Sequence, residues 1–392
     1  MKVALIHEWL STFAGSERVL EGLLTLYPEA DLFVVVDFLE GPERAFLKGR
    51  SPKTTVIQRL PFAKRLFRHY LPLMPLAIEQ LDLSGYDLIL SSHHAVAKGV
   101  LTGPDQVHIS YVHSPMRYAW DLQHQYLAKS RGVLGLKSLI SRYLLHRLRL
   151  WDVISANRVD AFIANSDFIR RRIARCYRRD ATVIHPPVRV TTYSCDRPRA
   201  DFYLAASRLV PYKRLDLIVE TFSKTPERPL IVIGDGPEKA RLQRLAGPNV
   251  SFLGHQSDEV LKDHLERAKA FVFAAEEDFG ILPVEAQAAG TPVIAYGKGG
   301  VLETVIPLKP FSGARPPVPT GVFFQRQTAD SLREALELFE AEETAFSKAQ
   351  IKAHAEQFSE HRFLESMRQF IETTWSRRSP QARGTHAAPG DR

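Results

Sequence analysis

The chain of 392 residues is 45% hydrophobic, 24% charged and 10% aromatic, a length for two or three globular units and a composition that excludes disordered, collagen-like and low-complexity proteins. Its two cysteines, Cys176 and Cys195, are too few for a disulfide framework or a four-thiolate zinc site and read as reduced thiols of a cytosolic protein. The net charge of +8, from 52 Lys and Arg against 44 Asp and Glu, asks for a polyanionic partner: nucleic acid, an anionic bilayer or a phosphorylated substrate.

An apolar run at 3–6 stops at His7 and Glu8, too early for a signal-peptide core, and no later run reaches the length of a membrane span. Neither export nor membrane integration is expected. Residues 3–6 read as a buried strand, followed by a loop holding Gly15 and a helix at 17–24, the entry to a doubly wound α/β domain. Further apolar runs at 32–36, 88–90, 108–112, 161–164 and 182–184 suit strands buried on both faces of a parallel sheet. This gives a first domain at 1–190 and, after Pro186-Pro187, an irregular linker at 191–200. A second series follows: strands at 202–206, 230–233, 250–253, 270–273 and 292–295 alternate with helices at 214–223, 239–246, 257–267 and 283–289. The second domain is therefore 201–355. Residues 356–376 form a last helix with Phe363, Leu364, Met367, Phe370 and Ile371 on one stripe, and 377–392 are expected to be a disordered tail. Two Rossmann-like domains facing each other across a cleft would bind ligands beyond the carboxyl ends of their strands.

The stretch from Glu277 to Glu285 follows a strand and opens a helix, with Gly280 at the junction. Free amides at such a helix start form an anion site. If the residues between the two carboxylates were all helical, they would lie about 12 Å apart along the axis. As isolated residues, Glu285 complementing a helix dipole and Glu277 solvated in a loop is the simpler reading. The glycine and the strand-end position favour function. Just past the first strand of the second domain, Ser207-Arg208 and Lys213-Arg214 bring cations to the same end, where a departing diphosphate would need them; cations at a helix start oppose its dipole, so a purely structural role is unattractive. In the first domain Gly15 marks a strand-to-helix turn and His113 lies just beyond a strand end. Each has a bland alternative, a turn glycine and a structural histidine.

The chain resembles the family-4 retaining glycosyltransferases (group 1) of GT-B architecture, especially the bacterial mannosyltransferase-like members of O-antigen and exopolysaccharide synthesis. The resemblance rests on Glu277 and Glu285 with Phe279-Gly280 between them, Ser207-Arg208 with Lys213, Gly234-Asp235-Gly236-Pro237 and Gly299-Gly300-Val301-Leu302-Glu303. The stretches at 92–98, 113–120 and 320–324 point to the mannosyltransferase-like subgroup. The family implies that His113, Glu277, Arg208 and Lys213 are catalytic, with Glu277 on the donor-sugar hydroxyls and His113 near the transferred sugar. Donor binding would use Gly15, Arg208, Lys213, Phe279, Gly280, Ile281, Leu282 and Glu285, the last on the nucleotide ribose. Where the family usually has two adjacent glycines in its first loop, this chain has Ala14-Gly15.

No two aspartates stand two residues apart, so a D-x-D metal motif is absent, and the resemblance implies metal-independent transfer without cofactor, with front-face retention. The implied donor is GDP-mannose and the acceptor a lipid-linked glycan, in the cytoplasm or peripherally on the inner face of the membrane. The alternatives are a UDP-sugar donor and a nucleotide-sugar hydrolase or epimerase; His255 and Gln256 follow a strand end where the base of either donor would lie. No nucleic-acid-binding module is recognisable. The positive charge is concentrated. Residues 129–151 hold Lys129, Arg131, Lys137, Arg142, Arg147 and Arg149 and no acid, along an apolar series that ends at Trp151. Residues 61–70, from Pro61 through Lys64, Arg65 and Arg68 to Tyr70, form a shorter basic stretch. Both read either as surface helices packed on the domain or as faces for an anionic membrane.

Overall fold

The computed structural model describes residues 1–121, 123, 127, 136–309 and 318–378. The chain divides into two compact units, Met1–Pro186 with Phe363–Arg392, and Pro187–Arg362. In the first, strands β1 (Val3–Leu10), β2 (Asp31–Asp37), β3 (Lys53–Thr54), β4 (Leu88–His93), β5 (Val107–Val112), β6 (Ala161–Ala164) and β7 (Ala181–Val183) form one parallel sheet in the order β3-β2-β1-β4-β5-β6-β7. Alternation along β1 sends Val3 and Leu5 into one core and Ala4 and Ile6 into another, as the period of two requires. The first core takes Val19, Leu20 and Leu23 of the helix Gly15–Leu26, and the second takes Met74, Ile78 and Leu148. The sheet is thus covered on both faces. Every residue of β4 and β5 is buried, so their polar members, among them Ser92, His93 and His108, need partners inside the protein.

The second unit holds β8 (Tyr203–Ala206), β9 (Leu230–Ile233), β10 (Val250–Gly254), β11 (Ala270–Phe273), β12 (Val293–Tyr296) and β13 (Gly321–Phe324), parallel in the order β10-β9-β8-β11-β12-β13. In each unit the first strand lies between the second and the fourth of the series. The order of connection reverses there, and the loops after β1 and β4, and after β8 and β11, flank the position where such sheets take ligands.

Three expectations need revision. β1 does not end at Ile6: it continues through His7 and Glu8 to Leu10, because both polar side chains find internal partners. Residues 191–200 are not a free linker but a strap on the second unit, into which the chain already passes at Pro187. Val188 and Val190 sit in a cluster with Phe279, Val284 and Phe358, the Ser194 amide donates to Glu266 at 2.8 Å, and the Lys348 ammonium donates to the Arg197 carbonyl at 2.6 Å. The final helix runs Glu360–Arg378, so Arg377 is helical rather than the start of a tail; residues 379–392 lie outside the described residues. Phe363, Met367 and Ile371 are buried in the first core, worth about 1.5–3 kcal/mol each. Gly22 makes room for them, since a Cβ there would lie 2.5 Å from the Phe363 ring.

Candidate functional site

Glycines let the loops at the switch point of the second unit lie against one another. A Cβ on Gly234 would fall 1.9 Å from the Ser207 carbonyl oxygen, and one on Gly236 2.4 Å from that of Leu209. On the other side, a Cβ on Gly299 would lie 2.4 Å from the Glu277 carbonyl oxygen and one on Gly300 2.4 Å from that of Asp278. The Gly300 amide donates to the Glu277 carbonyl at 2.8 Å. Both glycine motifs therefore hold the loops at 207–209 and 277–279 in place by close backbone approach.

Lys213 ends a short 3-10 turn, Pro211–Lys213, which the proline starts and a left-handed Arg214 (φ 57°) closes. Its ammonium pairs with the Glu277 carboxylate, and each side chain is 18% exposed. Arg208, directly after β8, is exposed, and among the described residues its guanidinium makes no ion pair, leaving its charge for an anion. Arg214 is committed elsewhere, to Asp216 and Gln327 at 3.2 Å each. Beyond Glu277, Gly280 adopts φ 86°, which favours glycine, and caps the helix Ile281–Ala288. The amides of Gly280, Ile281 and Leu282 have no partner among the described residues, and Pro283, next in line, has no N–H to leave unpaired. Arg208 and Lys213 on the loop after β8, with these three amides on the loop after β11, are the kinds of group an anion site requires.

The assigned donor-site residues divide on this geometry. Only residues from Ile281 onward are helical, so the all-helical spacing of Glu277 and Glu285 does not apply. Phe279 is buried against Phe358, ring centroids 5.7 Å apart, so its side chain anchors the loop. Ile281 and Leu282 lean on apolar clusters and offer amides rather than side chains. Glu285 is 4% exposed, which leaves little of it open to solvent.

In the first unit the corresponding position is filled by the protein's own side chains. The buried Glu8 carboxylate accepts the N–H groups of His94, Ala95, Val96 and Ala97 at 2.7–3.0 Å. Burial opposes its ionisation, but the hydrogen bond with His93, the nearby imidazoles and these amides hold it well below the usual carboxylate range. The buried Lys98 ammonium donates to Asp152 Oδ1 and Ser155 Oγ at 2.7 Å, and Asp152 also accepts from Trp120 at 2.8 Å. His113, past the end of β5, is not a lone histidine. Its Nε2 lies 2.9 Å from Ser92 Oγ, which lies 3.0 Å from His7 Nδ1, and His7 Nε2 is 3.2 Å from Glu17 Oε1. Burial, then His94 and His7, pushes the His113 imidazole down to about 3, so it is a neutral hydrogen-bonding group at neutral pH. The other Glu17 oxygen accepts the Ala14 amide at 2.8 Å and the Ser16 hydroxyl at 3.0 Å, fixing the loop that leads into Gly15. Sequence reasoning missed His7, Glu8 and Asp152, and gave Glu17 and Lys98 no role of their own within the stretches that hold them. The available signal was a pair of titratable residues directly following an apolar strand run.

The basic stretches are mixed faces. Of residues 129–151, 129–135 lie outside the described residues; the helix Leu136–Ala156 buries Leu148 and Asp152, yet leaves Leu139 66% exposed along with Ile140, Tyr143, Leu150 and Ile154. Residues 61–70 are broken into the helix Ala63–Leu66 and a 3-10 segment, with Phe62 left-handed and 76% exposed. Among the described residues no helix is long and apolar enough to cross a membrane.

Two parallel-sheet domains of this topology define the GT-B class. The solved structure of Anabaena HepE in complex with UDP and glucose superimposes with a TM-score of 0.66 at 17% identity, covering 95% of this chain and all of that one. Sucrose-phosphate synthase from Thermosynechococcus elongatus gives 0.67 at 16%, covering 96% and 100%. Residues 13–192 match the Glycosyltransferase Family 4 model and 197–358 the Glycosyl transferases group 1 model; the chain belongs to the family-4, group-1 glycosyltransferases. Among curated proteins, the GDP-mannose-dependent monoacylated alpha-(1-6)-phosphatidylinositol monomannoside mannosyltransferase of Corynebacterium glutamicum is 33% identical over 145 residues, 33% of this chain and 35% of the relative. The D-inositol 3-phosphate glycosyltransferase of Jonesia denitrificans is 28% identical over 239 residues, 51% and 53%. The matched parts thus span about a third to a half of these relatives.

Proposed function

We propose that the protein is a retaining, metal-independent glycosyltransferase that moves a hexose, foremost mannose from GDP-mannose, onto a lipid-linked or polysaccharide acceptor in cell-surface glycan synthesis. The observation that carries the reading is the anion site of the second unit, where Arg208, Lys213 and the amides of Gly280 to Leu282 converge beside Glu277. Such a site stabilises a departing nucleoside diphosphate as its bond to the sugar breaks. The acceptor oxygen forms the new bond on the same face of the anomeric carbon, and the leaving phosphate takes the acceptor's proton. Similarity to GDP-mannose-dependent relatives supports the donor. A UDP-sugar is the second reading, favoured by the structural likeness to a protein crystallised with UDP and glucose. Initial rates with GDP-mannose, UDP-glucose and UDP-N-acetylglucosamine, with and without EDTA, decide between them. GDP-mannose inert beside an active UDP-sugar overturns the donor, and loss of turnover in EDTA overturns metal independence.

The exposed apolar residues flanked by Arg142 and Arg147 on the helix Leu136–Ala156, and Phe62 with Lys64, Arg65 and Arg68, support docking on an anionic bilayer that carries the acceptor. Vesicles containing anionic phospholipid should pellet the protein, less so in high salt; equal binding to neutral vesicles removes the proposal.

A further inference from the structure

Glu17, His7, Ser92 and His113 form an unbroken chain from the loop before the helix Gly15–Leu26 to the end of β5, with links of 3.2, 3.0 and 2.9 Å. His7 and Ser92 are fully buried and Glu17 nearly so, so the middle of it is shielded from bulk solvent. With one proton on each imidazole, the carboxylate at one end decides the order of all the protons. Ionised Glu17 has no hydrogen to give, so His7 Nε2–H donates to it. His7 Nδ1 is then an acceptor, the Ser92 hydroxyl donates to it, and the Ser92 oxygen accepts from His113 Nε2–H. What remains on His113 is the Nδ1 lone pair, and no hydrogen bond occupies it among the described residues.

We infer that Glu17, His7 and Ser92 are positioning residues that lock His113 in its Nε2–H tautomer, so that Nδ1 accepts a hydrogen bond from a hydroxyl of the bound sugar. The inference deepens the proposed function and rests on it for the identity of the ligand, not for the proton order. A hydroxyl is the group that such a nitrogen selects: an ether or carbonyl oxygen at that place would face it lone pair to lone pair. Burial and the neighbouring imidazoles disfavour the imidazolium, so His113 acts by accepting a hydrogen bond rather than by carrying a positive charge. The same Glu17 carboxylate holds the Ala14 amide and the Ser16 hydroxyl, which ties the loop and the tautomer to one group.

The test reads the tautomer directly in the full-length protein labelled with 15N-histidine, using long-range 15N–1H correlations, with the His113 signal assigned from its absence in His113→Ala. The expected native spectrum shows a single Nε2–H form. Ser92→Ala should give a mixture and Glu17→Gln, whose amide can donate to His7, should move the population toward Nδ1–H, while Ser92→Thr keeps the native form. With an active donor, Ser92→Ala should lower kcat/KM about tenfold, and Ser92→Thr should restore most of it. A native Nδ1–H form, or a tautomer indifferent to both Ser92→Ala and Glu17→Gln, overturns the inference. If Ser92→Ala fails to fold, Glu17→Gln with Ser92→Thr decides it. The predicted tautomers without turnover of any nucleotide sugar would leave the proton order standing and sink the transferase reading instead.

Discussion

The switch points of the two units share a strand order and differ in what satisfies their backbone amides. In the first unit the Glu8 carboxylate fills the N–H groups of residues 94 to 97. In the second, the amides of Gly280 to Leu282 have no acceptor among the described residues, and the exposed Arg208 and the paired Lys213 stand at the neighbouring loop after β8. One topology thus produces a closed polar core when the anion is part of the chain, and leaves amides and cations available for one when it is not. The difference teaches that strand order chooses the place, while the residues on β1 and just past β4, β8 and β11 choose between stability and chemistry.

The largest effect that tests this contrast is expected from Glu8→Ala. Four amides and His93 lose their buried acceptor together, and chemical denaturation should show a loss of about 3–5 kcal/mol. Glu8→Gln, which keeps one accepting oxygen, should lose less. A change below about 1 kcal/mol for Glu8→Ala would mean that water replaces the carboxylate easily. Lys213→Ala should weight the two readouts the other way: kcat reduced about 100- to 1,000-fold, since charge developing on the diphosphate loses its cation, with a smaller stability loss of about 1–3 kcal/mol from leaving Glu277 unpaired. Turnover within threefold of the native rate would remove Lys213 from the chemistry.

Acid sharpens the comparison further, because shifted groups crowd the first unit. Burial, then the neighbouring cations and imidazoles, pushes His108 and His113 down to about 3. The unfolded chain binds these protons near pH 6.5 and the folded one only near 3, so their stability is complete above pH 6.5 and is lost as pH falls toward 3. Each contributes at most about 1.4 kcal/mol per pH unit in that window. The depressed carboxyls of Glu8 and Glu17 add to the loss once pH drops below the ordinary glutamate range. All four tryptophans, Trp9, Trp120, Trp151 and Trp375, belong to the first unit, so their fluorescence during an acid titration follows this unit alone. A transition whose midpoint is flat between pH 6.5 and 4 contradicts the buried neutral histidines.

Much of the architecture was legible because apolar runs separated by helical patterns leave few alternatives to parallel sheets. The second unit's site was legible as well, since glycines, cations and carboxylates cluster within short motifs at 207–214, 234–237, 277–285 and 299–303. What escaped was set by long-range partners. His7 and Glu8 look like the end of a strand until the amides of residues 94 to 97 and Ser92 arrive from β4 and the loop beyond it to satisfy them. Phe279 sits inside the motif, yet its side chain answers to Phe358, almost 80 positions away, and the strap at 191–200 has polar composition but is held by Glu266 and Lys348. Spacing along the chain carries no information about such contacts.

The smallest expected effect concerns a departure from the family pattern, Ala14. Its backbone is extended, φ −143° and ψ −158°, a conformation any residue adopts, and its amide is held by Glu17 at 2.8 Å. Replacing it with glycine should improve the helix cap slightly, since glycine is preferred to alanine there, and loosen the unfolded chain by about 0.4–1 kcal/mol. The two terms oppose each other, so the net change in stability should stay within about 0.5 kcal/mol. Activity is the informative readout. If the Ala14 methyl group makes no contact with the donor, Ala14→Gly leaves donor KM within about twofold, an interaction change smaller than one ordinary hydrogen bond. A tenfold fall in KM would show instead that the Ala14 methyl group hinders donor binding.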